Sequence, residues 1–509
     1  MRALISVSDK RGVVEFAKAL KNLGWDIIAT GGTMTKLREA GLDVINISDV
    51  TGFPEICEGR VKTLHPKVHG GLLARRDKAD HMATIAENGI EPIDMVCVNL
   101  YPFEATIAKE GTSLEDAVEN IDIGGPSMLR SAAKNFAAVT VVCDPDDYEN
   151  IISEIKETGN TLPETRFKLS AKAFTHTALY DSRIAEYMRR KAGLDEKLFL
   201  DFDLVQSLRY GENPHQQAKF YRSKPEVSYS VAYARQLGGK ELSYNNIQDA
   251  NAALAIVREF KEPFAVGLKH MNPCGAAVGK DLKEAWTKAY EADTVSIYGG
   301  IVAVNRPLTG EVAEMMKPIF LEIVMAPEFT PEALEVFSKK KNLRLLEVKM
   351  DNEKQPQRQY VGMSGGLLVQ DADVDCLDVT EEMTVTERKP TERELADMDF
   401  GWKVVKHVKS NAIVVVKDGQ TLGVGAGQMN RVGSAGIALE EAKAAGHTEG
   451  LVLASDGFLP FDDTVELASN YGVTAIVQPG GSIRDEDAIK KANEKGITML
   501  FTGMRHFKH

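Results

Sequence analysis

The spacing of apolar positions in the first part of the chain alternates between two periods. Residues 2–7 and Asp94–Leu100 are short, nearly continuous apolar runs, as expected of strands buried on both faces. From Val13 to Leu23, apolar side chains recur every three or four residues, the spacing of a helix packed along one side. The alternation continues to the run Val139–Cys143. It predicts a parallel sheet covered by helices.

The same reading predicts where this first domain ends. Further strands are expected at Asp26–Thr30 and Val44–Ile47, and further helices at Gly31–Gly41, Ser113–Asn120 and Gly124–Asn135. Residues 146–192 are mostly helical in pattern, and Gly193 breaks that pattern. We therefore predict one domain at 1–196 and a second at 197–509.

The second domain mixes both periods and shows no strict repeat. Strands are predicted at Phe264–Leu268, Gly300–Val304, Ala412–Val416, Leu451–Ala454 and Thr474–Val477. Helices are predicted at Ala250–Phe260, Leu282–Glu291, Ala333–Lys339, Ser434–Ala445 and Asp485–Asn493. Residues 350–395 are polar and irregular, which suggests a connection between two lobes. Each lobe carries strand–helix units of similar size, so a duplicated architecture is one interpretation.

Composition and charge narrow the class of protein. The 509 residues are 43% hydrophobic and 27% charged, as in ordinary globular proteins. The net charge of −13 is spread along the chain without a basic stripe, which disfavours a nucleic-acid partner. Five distant cysteines without a CxxC pair disfavour a disulfide framework or a zinc site. Without a signal peptide or a membrane-length apolar run, a soluble cytoplasmic protein is expected.

Polar residues of the first domain gather where predicted strands end. Thr30–Thr33 reads TGGT between a strand and a helix, which suits either a phosphate at a helix N-terminus or a plain turn. Arg60–Lys67 (RVKTLHPK) is either a solubilising loop or part of an anion site. Ligands of open parallel sheets gather at the carboxyl ends of strands. With Ser8, Lys10, Val98-Asn99 and Asp122–Gly124 also at strand ends or helix starts, the pattern favours one site for a small anionic molecule.

Two segments of the second domain could carry chemistry. Leu208–Gln216 is a loop dense in polar and aromatic groups. Lys269 and His270 follow an apolar strand and could stabilise an oxyanion and move a proton, or could form an ordinary turn with a satisfied histidine.

Cys274 after a proline suggests a deaminase-type zinc site, but the second cysteine and the HxE motif are missing. Gly423–Gln428 departs from GxGxxG, which disfavours a dinucleotide site.

An ordered set of motifs resembles one family. The motifs are SVSDK, GGT, TGFPE, GRVKTLHPKVHGGLL, NLYPF, IDIGGPSMLRSAAKN, LRYGENPHQ, LKHMNPCG, KSNAIVVVKDG, GAGQ, SDGFLPF and MRHFKH. They are similar to those of bifunctional purine-biosynthesis enzymes that join phosphoribosylaminoimidazolecarboxamide formyltransferase to IMP cyclohydrolase. The resemblance covers residues 4–509.

The resemblance implies a fold and an activity. The N-terminal domain would be a methylglyoxal-synthase-like α/β domain with a parallel sheet, followed by two cytidine-deaminase-like α/β subdomains without zinc. The transferase would move a formyl group from 10-formyltetrahydrofolate to the 5-amino group of 5-aminoimidazole-4-carboxamide ribotide. The cyclohydrolase would then close the ring with loss of water to give IMP. Family members are homodimers whose transferase sites form across the subunit interface, and no metal would be required for catalysis.

The resemblance also implies residue roles, motif by motif. Nucleotide contacts of the first domain would be Ser8, Asp9, Lys10, Thr30, Gly31, Gly32, Thr33, Arg60, Val61, Lys62, Thr63, Val98, Asn99, Asp122 and Ile123. Lys134, a surface lysine by local context, matches the catalytic lysine of ring closure. In the second domain His270 would be the general base, and Lys269 and Asn411 would polarise the formyl oxygen. Substrate or folate contacts would be Arg209, Tyr210, Asp351, Arg431, Phe458, Asp463, Ser482 and Arg505.

Two other functions remain as alternatives to the bifunctional enzyme. One is a single-activity enzyme acting on phosphorylated sugars through the first domain alone. The other is a folate- or nucleotide-binding regulator without catalysis. The second would require Lys134 and the Lys269-His270 pair to be incidental, although both occupy catalytic motif positions.

Overall fold

The computed structural model describes residues 1–351 and 357–509, which divide into two compact units. The units are Met1–Asp201 and Phe202–His509. The boundary that we predict at 196/197 lies shortly before this division. No helix in the described part of the chain has the length and apolar character needed to cross a membrane.

The first unit contains a parallel sheet. Its strands are β1 (Arg2–Val7), β2 (Asp26–Ala29), β3 (Ile45–Asn46), β4 (Met95–Asn99) and β5 (Thr140–Val142). They lie in the order β3-β2-β1-β4-β5, and every neighbouring pair is parallel. The chain therefore builds outward from β1 to one edge and then returns to the other side of β1. Ligands of such sheets bind where the order reverses, which here is between β1 and β4.

Helices surround this sheet as the periodicity predicts. They are α1 (Val13–Asn22), α2 (Gly31–Glu39), α3 (Ile47–Thr51), α4 (Pro66–Leu73), α5 (Ala79–Glu87), α6 (Phe103–Ile107), α7 (Leu114–Glu119), α8 (Gly124–Lys134), α9 (Tyr148–Thr158) and α10 (Pro163–Lys191). Every residue of β4 and β5 is buried, as in a sheet covered on both faces. The strand predicted at Val44–Ile47 is shorter than expected, because the Asn46 side chain caps Ser48 N–H and starts α3 at Ile47.

In the described residues of the second unit, eleven strands form one mixed sheet and two hairpins stand apart from it. The strands are β6 (Asp203–Leu208), β7 (Ala218–Arg222), β8 (Arg235–Gly238), β9 (Phe264–Lys269), β10 (Asn272–Val278), β11 (Gly300–Val304), β12 (Leu321–Ala326), β13 (Arg344–Glu347), β14 (Arg358–Met363), β15 (Gly366–Asp371), β16 (Ile413–Lys417), β17 (Gln420–Gly425), β18 (Leu451–Ser455), β19 (Val473–Gln478) and β20 (Thr498–Phe501). The helices are α11 (Tyr244–Val257), α12 (Leu282–Ala292), α13 (Gly310–Met316), α14 (Pro331–Phe337), α15 (Glu392–Val405), α16 (Arg431–Ala444), α17 (Asp463–Ser469) and α18 (Asp485–Lys495). The separate hairpins are β6-β7 and β14-β15.

The large sheet is built from one topology used twice. One half has the order β10-β9-β11-β12-β13 and the other β17-β16-β18-β19-β20, and the halves meet at β10 and β17. In each half a helix precedes an antiparallel hairpin, and helices connect the parallel strands that follow. Residues 243–275 match residues 391–423 without a gap, although few residue types agree. Ser243 and Thr391 open the first helix of each half with a capping box.

Paired glycines let a helix lie close to the hairpin in each half. A Cβ atom built on Gly275 would overlap the carbonyl oxygen of Ala289 in α12, and one built on Gly423 would overlap that of Ala438 in α16. Gly425 stands against the carbonyl of Ser434 in the same way. Gly423 and Gly425 of the GVGAGQ segment therefore serve helix–sheet packing, whereas a Cβ atom on Gly427 would meet no atom within 4 Å. Packing accounts for the spacing of the first two glycines without a dinucleotide.

The polar connection predicted at 350–395 contains more regular structure than expected. Arg358–Asp371 forms the β14-β15 hairpin, whose residues are all exposed, and α15 begins at Glu392. Residues 352–356 of this segment lie outside the described residues. The prediction of irregular structure is wrong for the hairpin. Its strands, RQYVGM and GLLVQD, do not alternate between polar and apolar residues, and all of their residues are exposed, so no buried face marks them in the sequence.

Candidate active sites

A cavity of about 530 Å³ lies in the first unit where the strand order reverses. The carboxyl ends of β1 and β4, the N-termini of α2 and α8, and the segment 55–63 line it. Of the predicted residues, it brings together Ser8, Lys10, Thr30, Gly31, Gly32, Thr33, Arg60, Lys62, Thr63, Val98, Asn99, Asp122 and Ile123. Residues distant in sequence thus share one wall because parallel strands end at the same edge.

Two lysines converge on the N-terminus of α2. A Cβ atom built on Gly31 would lie 3.7 Å from Lys62 Nζ, and one built on Gly32 would lie 3.8 Å from Lys10 Nζ. Gly31 also has a φ of 42°, which favours glycine. The absent side chains leave the helix N–H groups open beside two ammonium groups. This arrangement is suited to a phosphate group.

Asn99 and Asp9 organise the loop that follows β1. Asn99 Oδ1 accepts from the N–H groups of Ser8 (2.6 Å) and Asp9 (2.8 Å), and its Nδ2 donates to Asp9 O (2.9 Å). The Asp9 carboxylate instead accepts from Arg11 Nε at 2.7 Å, and hydrogen bonds from the Arg11 backbone and side chain lower its pKa. The Asp9 side chain is therefore engaged outside the cavity wall.

Tyr101 and Asp122 place two titratable groups in the cavity wall. Burial raises the pKa of the Asp122 carboxyl, against the opposing effect of a 2.7 Å hydrogen bond from Gly125 N–H and the charge of Lys62. Burial and then the charge of Asp122 raise the pKa of the Tyr101 phenol. Tyr101 is not among the residues predicted from the sequence, although it follows the end of a buried strand within the motif NLYPF.

Two further predicted residues of the first unit lie outside this wall. Lys134 is the exposed last residue of α8. Val61 pairs its backbone with Ile56 in an isolated bridge, which shapes the loop that carries Lys62. The cavity therefore contains most of the predicted nucleotide contacts, but Lys134, the predicted catalytic lysine, is not in its wall.

In the second unit, His270 and Met271 form the two-residue turn between β9 and β10. Lys269 pairs with Asn272 across the hairpin, and the φ angles of the turn residues are 52° and 63°. Such turns favour Asn-Gly or Gly-Gly, and a residue with a side chain there costs about 1 kcal/mol. His270 is exposed at the tip, and Lys269 Nζ donates to Tyr298 O at 2.9 Å.

Asn411 is held beside this turn. Lys409 N–H donates to Asn272 Oδ1 at 3.1 Å, which ties the two segments together. Asn411 Oδ1 accepts from Arg431 Nη2 at 2.8 Å, and its Nδ2 donates to Gln428 O at 2.9 Å. The structure thus joins the segment that carries Asn411 to the hairpin that carries Lys269 and His270, although the chain separates them by about 140 positions.

Arg431 lies behind Asn411 and is buried. Its guanidinium pairs with the fully buried Asp456 and donates to Ser455 Oγ at 3.0 Å. Asp456 also accepts from Ser410 Oγ and from Ala412 N–H at 3.2 Å. The described contacts of Arg431 therefore orient Asn411, whereas the resemblance implies contact with substrate or folate.

The remaining predicted residues make local contacts. The Arg209 guanidinium lies 5.7 Å from the Tyr210 ring, and that of Arg505 lies 4.7 Å from the Phe507 ring. Asp351 pairs with Lys349 at 3.0 Å, Asp463 Oδ1 accepts from Thr464 N–H at 2.7 Å, and Ser482 Oγ accepts from Arg484 N–H at 3.1 Å. Phe458 is 36% exposed. Asp463 begins α17, and each of the other predicted residues lies within four residues after the end of a strand.

Comparison with known proteins identifies the family. The family described as "AICARFT/IMPCHase bienzyme" matches residues 132–441, and the "MGS-like domain" matches residues 12–127. The "Bifunctional purine biosynthesis protein PurH" of Bacillus cytotoxicus is 58% identical over 100% of this chain and 99% of its own length. The protein of the same name from Anoxybacillus flavithermus has the same identity and coverage.

The chain belongs to the AICARFT/IMPCHase bienzyme family. It is accordingly a bifunctional enzyme of purine biosynthesis, with formyltransferase and IMP cyclohydrolase activities. The predicted methylglyoxal-synthase-like first domain and α/β second part are confirmed. A solved structure titled "Crystal structure of ForH" is 40% identical over 36% of this chain and 97% of its own, but its TM-score of 0.33 is too low to inform the fold.

The deaminase-type zinc site considered for Cys274 finds no counterpart in the described residues. Across 1–351 and 357–509, no group of three or more His, Cys, Asp or Glu side chains is placed to hold a metal. Cys274 Sγ donates to Gly267 O at 3.3 Å, and burial raises the pKa of its thiol to about 12. The sulfur is thus a protonated packing group, unlike a thiolate ligand.

Proposed function

We propose that the cavity of the first unit closes the IMP ring and that the His270 turn of the second unit transfers the formyl group. The observation that carries the first assignment is the convergence of Lys10 and Lys62 on the N-terminus of α2, where a ribotide phosphate would bind. The second assignment rests on Lys269 and His270 at the end of one hairpin, and on the hydrogen bond from Lys409 N–H to Asn272 Oδ1, which brings the segment of Asn411 to that hairpin.

Ring closure needs a proton removed from the carboxamide nitrogen and protons delivered to the departing oxygen. Asp122 and Tyr101 line the cavity with pKa values raised by burial, so both can hold protons more readily than exposed groups of their type. Lys62 would stabilise negative charge on the formyl oxygen as the nitrogen attacks. Lys134 enters this proposal on the motif SAAKN alone, since its side chain is exposed at the end of α8.

Formyl transfer joins a weakly nucleophilic aromatic amine to a formyl carbon. His270 would accept the amine proton, while Lys269 and Asn411 would hold the formyl oxygen as it gains negative charge. The formyl donor would be 10-formyltetrahydrofolate, and the acceptor 5-aminoimidazole-4-carboxamide ribotide. The ribotide and folate contacts proposed from the motifs are Arg209, Tyr210, Asp351, Arg431, Phe458, Asp463, Ser482 and Arg505.

We further propose that two copies of the chain associate through the separate hairpins of the second unit. Apolar side chains are exposed on β6 and on both strands of the β14-β15 hairpin. The exposed residues are Leu204, Val205, Tyr360, Val361, Met363, Leu367, Leu368 and Val369. Small hairpins with exposed apolar side chains need a covering surface. A homodimer would supply one.

An assay with defined substrates tests both assignments. The purified chain is given 5-aminoimidazole-4-carboxamide ribotide with 10-formyltetrahydrofolate, and release of tetrahydrofolate is measured; separately it is given the formamido ribotide alone, and IMP is measured. Lys62→Ala is expected to slow conversion of the formamido ribotide at least tenfold and to leave formyl transfer within twofold. Lys36→Ala, on the same helix as Gly31, is the matched control for loss of a positive charge. Loss of formyl transfer in Lys62→Ala would contradict the separation of sites.

A further inference from the structure

Two carboxylates occupy equivalent positions in the two halves of the large sheet. Asp249 is the sixth residue of α11 and Asp397 the sixth of α15, the helices that precede the two hairpins. Asp249 Oδ1 accepts from Met271 N–H at 2.7 Å, in the turn that carries His270. Asp397 accepts from the turn residues of the other hairpin, Asp418 N–H (3.1 Å) and Gly419 N–H (2.8 Å). Each carboxylate therefore holds the turn of its own half.

The two carboxylates differ in what else they face. Both oxygens of Asp397 bind turn N–H groups, and Oδ2 also accepts from Arg393 Nη1 at 2.7 Å. Asp397 is only 2% exposed. Asp249 is half-buried. It lies close to His270, because the N–H group that it binds belongs to Met271, the next residue in the chain. The bonds of Asp397 are thus all structural, whereas Asp249 also interacts with His270, which is proposed to gain a positive charge during the reaction.

The surroundings of Asp249 support an electrostatic role. Burial raises the pKa of its carboxyl, opposed by the Met271 hydrogen bond and by the positive charge that His270 can carry. Glu322, on β12, adds negative charge and is itself bonded to Asn246 Nδ2 at 2.7 Å and faces Arg344 at 3.8 Å. Lys269, adjacent to His270, directs its ammonium group to Tyr298 O.

We propose that Asp249 is a positioning residue for formyl transfer, fixing the strained His270-Met271 turn and supplying negative charge beside the imidazole. This proposal rests on the proposed function of His270. In the transfer step the amine nitrogen bonds to the formyl carbon, and the bond from that carbon to the folate nitrogen breaks. The amine proton passes to the imidazole, and the leaving folate nitrogen takes up a proton. A carboxylate beside the imidazole stabilises the imidazolium formed on the way.

Asp249→Asn tests this role, because it keeps an acceptor for Met271 N–H and removes the charge. We expect kcat for formyl transfer to fall about tenfold with KM within twofold, since proton acceptance is weakened but binding is not. The acid limb of the kcat/KM profile should move to lower pH, because the carboxylate charge that favours a protonated imidazole is removed. Ring closure should be unchanged. Asp397→Asn is the matched control, expected to keep both kinetic constants and the pH profile while lowering Tm.

The outcomes separate this inference from the proposed function. If the wild-type chain transfers no formyl group, or His270→Gln transfers it normally, the assignment of His270 fails. If His270→Gln is inactive while Asp249→Asn matches Asp397→Asn in kcat and pH profile, only the role of Asp249 is overturned. Should Asp249→Asn not fold, Asp249→Glu retains the charge and is expected to retain the wild-type pH profile with reduced kcat. An altered profile in that variant would also overturn the role of Asp249.

Discussion

The two halves of the large sheet solve one structural problem with different residues. Both hairpins use a two-residue turn with two positive φ angles, at His270-Met271 in one half and at Asp418-Gly419 in the other. Asp-Gly is among the preferred pairs for such a turn, whereas His-Met is not. Each half otherwise keeps the capped helix, the carboxylate that holds the turn, and the packed glycine. The unfavourable pair is found where the proposed chemistry lies, as expected when strain is retained for function.

The largest expected difference between the halves is catalytic. His270→Ala should lower formyl transfer by about 10²–10⁴-fold, because the proposed general base is lost. Asp418→Ala, at the equivalent position, should leave formyl transfer within twofold. Initial rates of both reactions in each variant provide the measurement. Equal losses in the two variants would show that the turns serve the enzyme alike and would remove His270 from the mechanism.

The packed glycines should respond alike in the two halves. Gly275→Ala and Gly423→Ala should each lower the free energy of unfolding by about 3 kcal/mol, because the added methyl group overlaps a backbone carbonyl oxygen. Gly436→Ala is the control, since a Cβ atom there meets no atom within 4 Å and alanine favours the helix. Urea unfolding gives the comparison. A loss in only one half would contradict the structural equivalence.

The equivalent positions 259 and 407 meet in a buried pair that should make stability depend on pH. His407 Nε2 lies 2.9 Å from Glu259 Oε1, and Lys406 Nζ donates to the same oxygen at 2.8 Å. Burial lowers the pKa of His407 to about 4. Burial alone would raise the pKa of the Glu259 carboxyl, but hydrogen bonds from His407 and Lys406 lower this pKa to about 2.

In the unfolded chain, His407 becomes protonated as pH falls below its usual pKa of about 6.5. In the folded protein, His407 stays neutral until the pH reaches about 4, so protons bind preferentially to the unfolded chain between these values. The contribution of His407 to stability therefore falls as pH decreases through this window. The pKa of the Glu259 carboxyl is lower in the folded protein than in the unfolded chain, so this group stabilises the folded state above its unfolded pKa of about 4.5. That stabilisation is lost as pH falls toward 2. His407→Gln should reduce the loss between pH 7 and pH 5 by about 1–2 kcal/mol. Unfolding midpoints at both pH values measure it, with the exposed His215→Gln as control. An unchanged pH slope in His407→Gln would contradict a buried neutral imidazole.

The smallest expected effect is the strain of the turn itself. His270→Gly should raise the free energy of unfolding by about 0.5–1 kcal/mol, because glycine adopts the positive φ without penalty, although formyl transfer is lost. Gly419→Ala should lower it by about 1 kcal/mol, since alanine is strained there and its Cβ would lie 2.6 Å from Val278 Cγ2. Denaturation midpoints check both. A destabilised His270→Gly variant would contradict the stored strain.

Much of the first unit could be predicted because its signals are local. The apolar run Asp94–Leu100 and the TGGT turn each depend on neighbouring residues, and the structure has β4 and the start of α2 there. Tyr101 was missed because one aromatic residue after a strand is equally typical of a loop. The strained backbone of the turn at His270 could not be predicted, because nothing in the pattern KHMN indicates two positive φ angles.

The duplicated architecture of the second unit was only weakly visible in the sequence. Residues 243–275 and 391–423 share few residue types, since one hydrophobic core accepts many combinations of apolar side chains. The buried position of Arg431 was equally hidden, because an arginine in a loop-like segment is usually exposed. Its burial depends on Asp456 from a different strand end.

The sequence alone determined the family, the α/β class and most residues of the first cavity, because ordered motifs and strand–helix periodicity are written in neighbouring positions. Only the tertiary structure decided which of those residues share a site. It placed Lys134 outside the cavity wall, set Arg431 behind Asn411, and gave Asp249 and Asp397 the same position beside different turns. Such placements depend on strand order and on side chains far apart in the chain, whose contacts exist only once the sheet has formed.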